Sequence, residues 1–174
     1  MKFAVLSCSL NPNSRSRVLG REAEAVLRAA GAQVDFIDLQ ELQVPFAGSA
    51  ESWSHADVGS LKSRLEPATG ILMALPIYTY HVNAAAKNVV ELCGRAFEGK
   101  VIGFACAAGG GHSYMSVMSF ANSLMLDFRS FILPRFVYAT KDAVEADKIV
   151  DVEIQKRVSE LALELKRVSE ALSR

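Results

Sequence analysis

Short apolar runs alternate along the chain with stretches in which apolar residues return every three or four positions. Phe3-Ala4-Val5-Leu6 is a run cut off by the polar cluster Ser7 to Ser16, which predicts a buried strand followed by a loop. Leu19, Ala23, Val26, Leu27 and Ala30 then recur at helical spacing, with Gly31 where a helix-ending glycine stands. The alternation continues: strand Gln33 to Asp38, helix Asp57 to Glu66, strand Gly70 to Leu75, helix Ala84 to Phe97 and strand Lys100 to Ala107. A helix from Ser113 to Phe128, a fifth strand from Phe131 to Tyr138 and a last helix from about Ile149 to Leu172 complete it. In that last helix Ile154, Val158, Leu161, Leu165, Val168 and Leu172 form one apolar stripe, with Lys156, Arg157, Glu160 and Glu164 off it, which predicts packing along one side.

Apolar strands alternating with helices call for a parallel sheet covered on both faces, because parallel neighbours need crossover connections. The expected fold is therefore α/β, a doubly wound five-stranded parallel sheet of order 2-1-3-4-5, filling residues 1–174 as a single domain. In that order the ligand crevice opens at the carboxyl ends of strands 1, 3 and 4, so loops 7–16, 76–83 and 108–113 carry the chemistry.

Composition narrows the partners. A hydrophobic share of 51% with 22% charged residues belongs to a folded chain. Nineteen Lys and Arg balance nineteen Asp and Glu with no block of either sign, so nothing supplies the basic stripe that nucleic acid or an anionic membrane requires. No apolar run reaches membrane-spanning length and no secretory core begins the chain, which predicts a cytoplasmic protein. Cys8, Cys93 and Cys106 lie far apart, as free buried thiols do, and neither they nor the scattered histidines have the spacing of a metal site.

The first loop, Ser7-Cys8-Ser9-Leu10-Asn11-Pro12-Asn13-Ser14-Arg15-Ser16, runs straight into a helix. A helix N-terminus presents unpaired N–H groups and partial positive charge; with the hydroxyls of Ser9, Ser14 and Ser16, the amides of Asn11 or Asn13 and the charge of Arg15 it can cage a phosphate. The same residues also make an ordinary cap and turn, and the choice between the two rests on the loop's place after the first strand. The second loop, Pro76-Ile77-Tyr78-Thr79-Tyr80-His81-Val82-Asn83, offers flat apolar surface to a planar ring. The third, with Gly109-Gly110-Gly111-His112, permits close backbone approach. A phosphate cage, an aromatic shelf and a glycine edge together outline flavin mononucleotide. There is no G-x-G-x-x-G, no G-x-x-x-x-G-K-[ST] and no G-x-S-x-G, so dinucleotide clamps, nucleoside triphosphatases and α/β-hydrolases fall away.

Taken together these residues resemble the NAD(P)H-dependent FMN reductase family of flavodoxin-like proteins. Ser9, Ser14 and Ser16 match its first-loop pattern S-x-x-x-x-S-x-S, and Pro76 and Tyr78, with Lys87 and Asn88 nine and ten residues after the tyrosine, match its second. Ile77, Thr79 and Ala84 depart from the acidic residue, asparagine and glycine of many members. The resemblance implies that FMN lies in the crevice and that NAD(P)H delivers hydride to flavin N5. The reduced flavin then reduces free flavin, a quinone or a similar small-molecule two-electron acceptor. It assigns Ser9, Asn11, Ser14, Arg15 and Ser16 to the phosphate, Pro76, Ile77 and Tyr78 to the ring, and Gly109, Gly110 and His112 to its polar edge. No side chain need act as acid or base, although His112 is the candidate for a proton donor. A flavodoxin-like electron carrier is the alternative, against which the balanced charge speaks.

A homodimer or homotetramer is also expected. Ala84, Ala85, Ala86, Val89, Val90, Leu92 and Cys93 make the third helix apolar around more of its circumference than one sheet face covers. Phe120, Leu124 and Phe128, with Met118 and Met125, are expected to carry part of the fourth helix to the subunit interface.

Overall fold

In the computed structural model, which describes residues 1–173, strands β1 (Lys2–Ser7), β2 (Gln33–Asp38), β3 (Gly70–Tyr78) and β5 (Val101–Ala107) run parallel. Helices α1 (Arg15–Ala29), α2 (Ala56–Leu65), α3 (Ala84–Cys93), α4 (Met118–Phe128) and α5 (Val152–Leu172) cover them. The sheet path is β2-β1-β3-β5-β6, where β6 is Phe131–Ile132; β7 (Val137–Ala139) also lies beside β5, and β4 (His81–Val82) folds back on β3. The sheet thus has seven strands where five were expected. Two differences account for the number. The fifth expected strand is broken because Pro134 lacks an N–H to donate: Leu133 N–H still bonds the Ile102 carbonyl (2.9 Å), and residues 134–136 then leave the ladder before β7. The third runs on through Pro76 to Tyr78 and turns into an antiparallel hairpin with β4.

Two apolar clusters lie on opposite faces of the sheet. One gathers Ile71, Met73, Leu75, Phe97, Phe104 and Phe120 beneath α2, α3 and α4; the other gathers Val5, Leu19, Leu27, Leu72, Val158 and Leu165 beneath α1 and α5. Strands buried on both sides explain why their sequences read as unbroken apolar runs. Gly31, at φ +79°, ends α1 as the sequence indicated: its N–H bonds the Arg28 carbonyl while that of Ala32 bonds Leu27.

Helix ends differ from expectation where caps decide them. Asp151 accepts from the N–H groups of Glu153 (2.8 Å) and Ile154 (3.1 Å), starting α5 at Val152, and Ile149 belongs instead to the hairpin of β8 (Val144–Glu145) and β9 (Lys148–Ile149). His55 accepts from Asp57 N–H and starts α2. The segment Gly111–Val117, expected as helix from Ser113, is a 3₁₀ turn held from outside: the Tyr138 hydroxyl donates to the Gly110 carbonyl (2.5 Å) and lies 2.6 Å from Ser113 Oγ. Residues 94–97, expected to extend α3, likewise form a 3₁₀ turn.

The expected oligomer faces need correction. Ala86, Val89, Val90, Leu92 and Cys93 are buried within the chain itself, as are Phe120 and Leu124. The apolar side chains that α4 turns outward are Met118, Met125 and Leu126, joined by Tyr114 and Met115 from the preceding turn.

Candidate functional site

A cavity of about 440 Å³ opens at the carboxyl ends of β1, β3 and β5, where the strand order places its switch point. Ser9, Asn11, Asn13, Ser14, Arg15 and Ser16 line one end of it, and Pro76, Ile77, Tyr78, Thr79, Ala107, Ala108 and Gly109 the other. The three loops singled out in the sequence therefore converge. Gly110 and His112 do not line the cavity; both are exposed, with the Gly110 carbonyl already engaged by Tyr138. A second hollow of about 530 Å³ lies between residues 133–137 and α5, away from the strand ends and walled by Glu153, Arg157, Glu160 and Glu164.

At the polar end, Ser14 is both cap and wall. Its Oγ accepts the Arg17 N–H (3.1 Å) and lies 3.0 Å from Ser16 Oγ. Ser9, Ser14 and Ser16 are buried, at 1%, 8% and 1% exposure, yet all three border the cavity. Ser9 Oγ accepts from Asn11 N–H, and Asn11 Oδ1 from Asn13 N–H, so the loop curls on its own side chains. The N–H groups of Arg15 and Ser16, in the first turn, have no partner within the helix, and Arg15 makes no hydrogen bond or ion pair among the described residues. An anion arriving here meets donors whose hydroxyl neighbours are already fixed in place.

Three residues that the sequence reading did not single out hold this loop. Arg17 Nε stands 2.6 Å from Asp38 Oδ2 at the end of β2, and its Nη1 donates to the Pro12 carbonyl (3.0 Å). Gln40 donates to the Leu10 carbonyl (2.9 Å) and accepts from Arg17. Asn83 Nδ2 donates to the Cys8 carbonyl (2.7 Å), tying the second loop to the first. Asn88 works one layer further out, bonding Ala47 N–H and the Pro45 carbonyl, whereas Lys87 pairs with Glu91 on the surface. Arg17 three residues after a capping serine carries no pattern of its own, and only the nearness of β2 gives it a role.

The other end is a tight hairpin. Tyr78 faces His81 across the two-residue turn Thr79-Tyr80, both at positive φ (50° and 59°), where glycine and asparagine are the usual occupants. Holding a β-branched and an aromatic residue there is strained, and such strain gathers at ligand sites. The turn leaves Tyr78 54% exposed at the cavity rim. His81 Nε2 lies 2.8 Å from Ser119 Oγ, fastening the hairpin to α4. On the third wall, a Cβ added to Gly109 would meet no atom within 4 Å, so the space beyond this backbone is open to a ligand.

A crevice at the switch point of a parallel sheet of this order, covered by helices on both faces, gives the chain a flavodoxin-like fold. The family model for NADPH-dependent FMN reductase matches residues 1–145, and the chain belongs to that family. It is an FMN-dependent oxidoreductase that draws on NAD(P)H. An NAD(P)H-dependent FAD/FMN reductase of Geobacillus thermodenitrificans (strain NG80-2) is 29% identical over 135 residues, 76% of this chain and 73% of the relative. Among solved structures, the flavoenzyme NAD(P)H:(acceptor) oxidoreductase FerB from Paracoccus denitrificans superposes with a TM-score of 0.79 at 19% identity, over 98% of this chain and 97% of the other. A flavodoxin from the domain Archaea superposes at 0.65 and 12% identity, over 95% and 99%. No helix among the described residues is long and apolar enough to cross a membrane.

Proposed function

We propose that FMN lies in this cavity with its phosphate on Ser9, Asn11, Ser14, Arg15, Ser16 and the first-turn amides of α1, and its ring against Pro76, Ile77, Tyr78 and Gly109. The reading rests on one observation above all: buried serines and unpaired helix N–H groups share a cavity with an exposed tyrosine at the switch point of the sheet. When bound, FMN supplies the two-electron redox chemistry. The chain holds and orients. Serine hydroxyls and helix amides fix the phosphate, the strained hairpin fixes Tyr78, and Asn83 keeps the two loops in register. Neither histidine of these loops is placed as a general acid, since His112 lies outside the cavity and His81 is bonded to Ser119.

The acceptor is free flavin, a quinone or a similar small molecule, and the setting is the cytoplasm. A homodimer or homotetramer is supported by the exposed side chains of Tyr78 and Tyr80 on the hairpin after β3 and of Tyr114, Met115 and Met118 before and at the start of α4. Sedimentation as an 18.9 kDa monomer at micromolar concentration would overturn that part.

The phosphate assignment is tested by comparing FMN with riboflavin, which has the same ring and no phosphate. FMN is expected to bind far more tightly. Replacing Ser14 and Ser16 together by alanine is expected to weaken FMN by roughly 10²-fold, each charge-assisted hydrogen bond contributing about 1.5–3 kcal/mol, and to leave riboflavin nearly unchanged. Losing the Ser14 cap costs about 1 kcal/mol of stability, so circular dichroism must accompany the titration. Equal affinities of the parent for both flavins refute the assignment.

A further inference from the structure

Ser119 spends its hydroxyl outside its own helix. It stands second in α4, and the only partner of its Oγ among the described residues is His81 Nε2, at 2.8 Å. The next residue, Phe120, is buried and packs on Phe104 with ring centres 6.0 Å apart, so the serine is mounted on a fixed element. The other imidazole nitrogen, Nδ1, lies 3.3 Å from the Val82 carbonyl, which can only accept. That contact assigns the proton to Nδ1 and leaves Nε2 to accept from the Ser119 hydroxyl.

What the bond holds is a hairpin that does not hold itself. Thr79 and Tyr80 occupy left-handed backbone that a β-branched and an aromatic residue resist. At the base of the hairpin, Asn83 N–H bonds the Pro76 carbonyl (3.2 Å) and buried Val82 pairs with Ile77. Towards the tip, the bond to Ser119 is the only side-chain hydrogen bond that residues 78–81 make to another element, among the described residues. His81 is the register partner of Tyr78, and side chains directly opposed in an antiparallel pair share one face with Cβ atoms about 5 Å apart. Fixing the imidazole therefore restricts where the Tyr78 ring stands at the cavity rim.

We propose that Ser119 is a positioning residue of the flavin site: through His81 it sets the Tyr78 ring where that ring helps to seat a planar electron acceptor. The inference rests on the reading above that puts the flavin ring beside Tyr78. The serines and helix amides at the other end of the cavity hold the cofactor, so the clasp bears on the second molecule. A flat acceptor is held by little besides contact area, and a rim tyrosine that swings free must be ordered anew at each binding event. Ser119 touches neither ligand. Its loss is therefore expected in KM and not in kcat, as for binding that is equal in ground and transition states.

The test reads KM and kcat for two flat acceptors, menadione and free riboflavin, at saturating NADPH, with FMN affinity followed by fluorescence. Ser119→Ala is expected to raise KM about three- to tenfold, the scale of one neutral hydrogen bond, with kcat and FMN affinity within twofold. His81→Phe, which breaks the same bond from the other side, is expected to do likewise, and Ser119→Thr, which keeps the hydroxyl, to match the parent within twofold. In a Tyr78→Ala background Ser119→Ala is expected to add nothing, because the residue it acts through is gone. The nitrogen NMR spectrum of His81 in flavin-free protein, in mildly alkaline buffer, reads the clasp without turnover: one tautomer in the parent and in Ser119→Thr, an average of two in Ser119→Ala. Alanine suits an exposed helical position, so the variant folds. An unchanged KM or an unchanged His81 spectrum in Ser119→Ala overturns the proposal, as does a rise that persists in full without Tyr78 or that threonine fails to prevent. Parallel losses of kcat, FMN affinity and thermal midpoint make the bond a fastener of the fold and overturn it equally. A parent that binds no FMN refutes the flavin reading itself. One that binds FMN and reduces neither acceptor, or reduces them as well after Ser119→Ala, refutes this inference alone.

Discussion

Arg17 reaches from the first turn of α1 to Asp38 at the end of β2, Nε to Oδ2 at 2.6 Å, and on the way its guanidinium donates to the carbonyl of Pro12. The pair locks the polar loop to the neighbouring strand from behind, on the side away from the cavity. Replacing Arg17 by methionine leaves Asp38, 5% exposed, without its counter-charge. The expected cost is about 2 kcal/mol, below the 3–5 kcal/mol of a fully buried broken pair because the guanidinium keeps some contact with water. FMN affinity is expected to fall about tenfold as the loop loosens, by analogy with other positioning shells. Urea unfolding and flavin titration of the variant check both figures. Unchanged flavin binding at reduced stability would assign Arg17 to the fold alone.

Tyr80 at φ +59° is expected to be a site of removable strain. Tyr80→Gly should raise the unfolding free energy by about 1 kcal/mol, the relief of a left-handed conformation outweighing glycine's added chain entropy. Thermal denaturation measures it. A destabilised variant would mean that the exposed Tyr80 ring makes contacts worth more than its backbone costs, as an occupied subunit interface would provide.

Lys100 gives a pH signature. Its Nζ donates to the carbonyls of Leu65 (2.6 Å) and Glu66 (2.8 Å) at the end of α2, and burial lowers the amine to about 8 against the opposing pull of Glu66. Between about 8 and the ordinary 10.5 the unfolded chain still holds the proton that the folded one has released. Stability attributable to this lysine therefore rises with pH across that window and is level on either side of it. The difference in unfolding free energy between the parent and Lys100→Met, followed from pH 7 to 11, should show that rise. A flat difference would refute the lowered value.

The three thiols are expected to be silent. Burial raises Cys93 to about 11 and Cys106 to about 12, and it raises Cys8 as well, with Asp38 adding to the effect. Since the thiolate is the reactive form, a disulfide reagent at pH 8 should titrate none of them in the native protein and all three after denaturation. Rapid reaction of one native thiol would place it nearer the surface than described here.

Much of this molecule was legible because its strands are buried on both faces, which makes their sequences nearly pure apolar runs. The polar loop stood out for a similar reason: Ser9, Ser14 and Ser16 follow directly on such a run. Less legible were features settled by partners distant in sequence. Tyr138 holds Gly110 and Ser113 and so keeps the turn before α4 from becoming α-helix, across more than twenty residues. Phe120 and Leu124 read as surplus hydrophobicity until the sheet that covers them is in view. Arg17 carries no signal in the sequence because its meaning depends on Asp38, whose side chain comes within reach only through the parallel pairing of β1 and β2.

The break at residues 134–136 bears on how copies of this chain meet. A sheet border with a long, regular run of free main-chain donors and acceptors invites a second sheet to zip onto it, the route by which folded domains aggregate. Here that border is reduced to pieces of two and three residues, parted by the stretch that contains Pro134. Neither piece is long enough to template a partner strand. At the opposite border β2 runs unbroken for six residues, but Arg28 and Arg64 occupy its Val34 and Phe36 carbonyls, so neither border offers a second copy a long free edge.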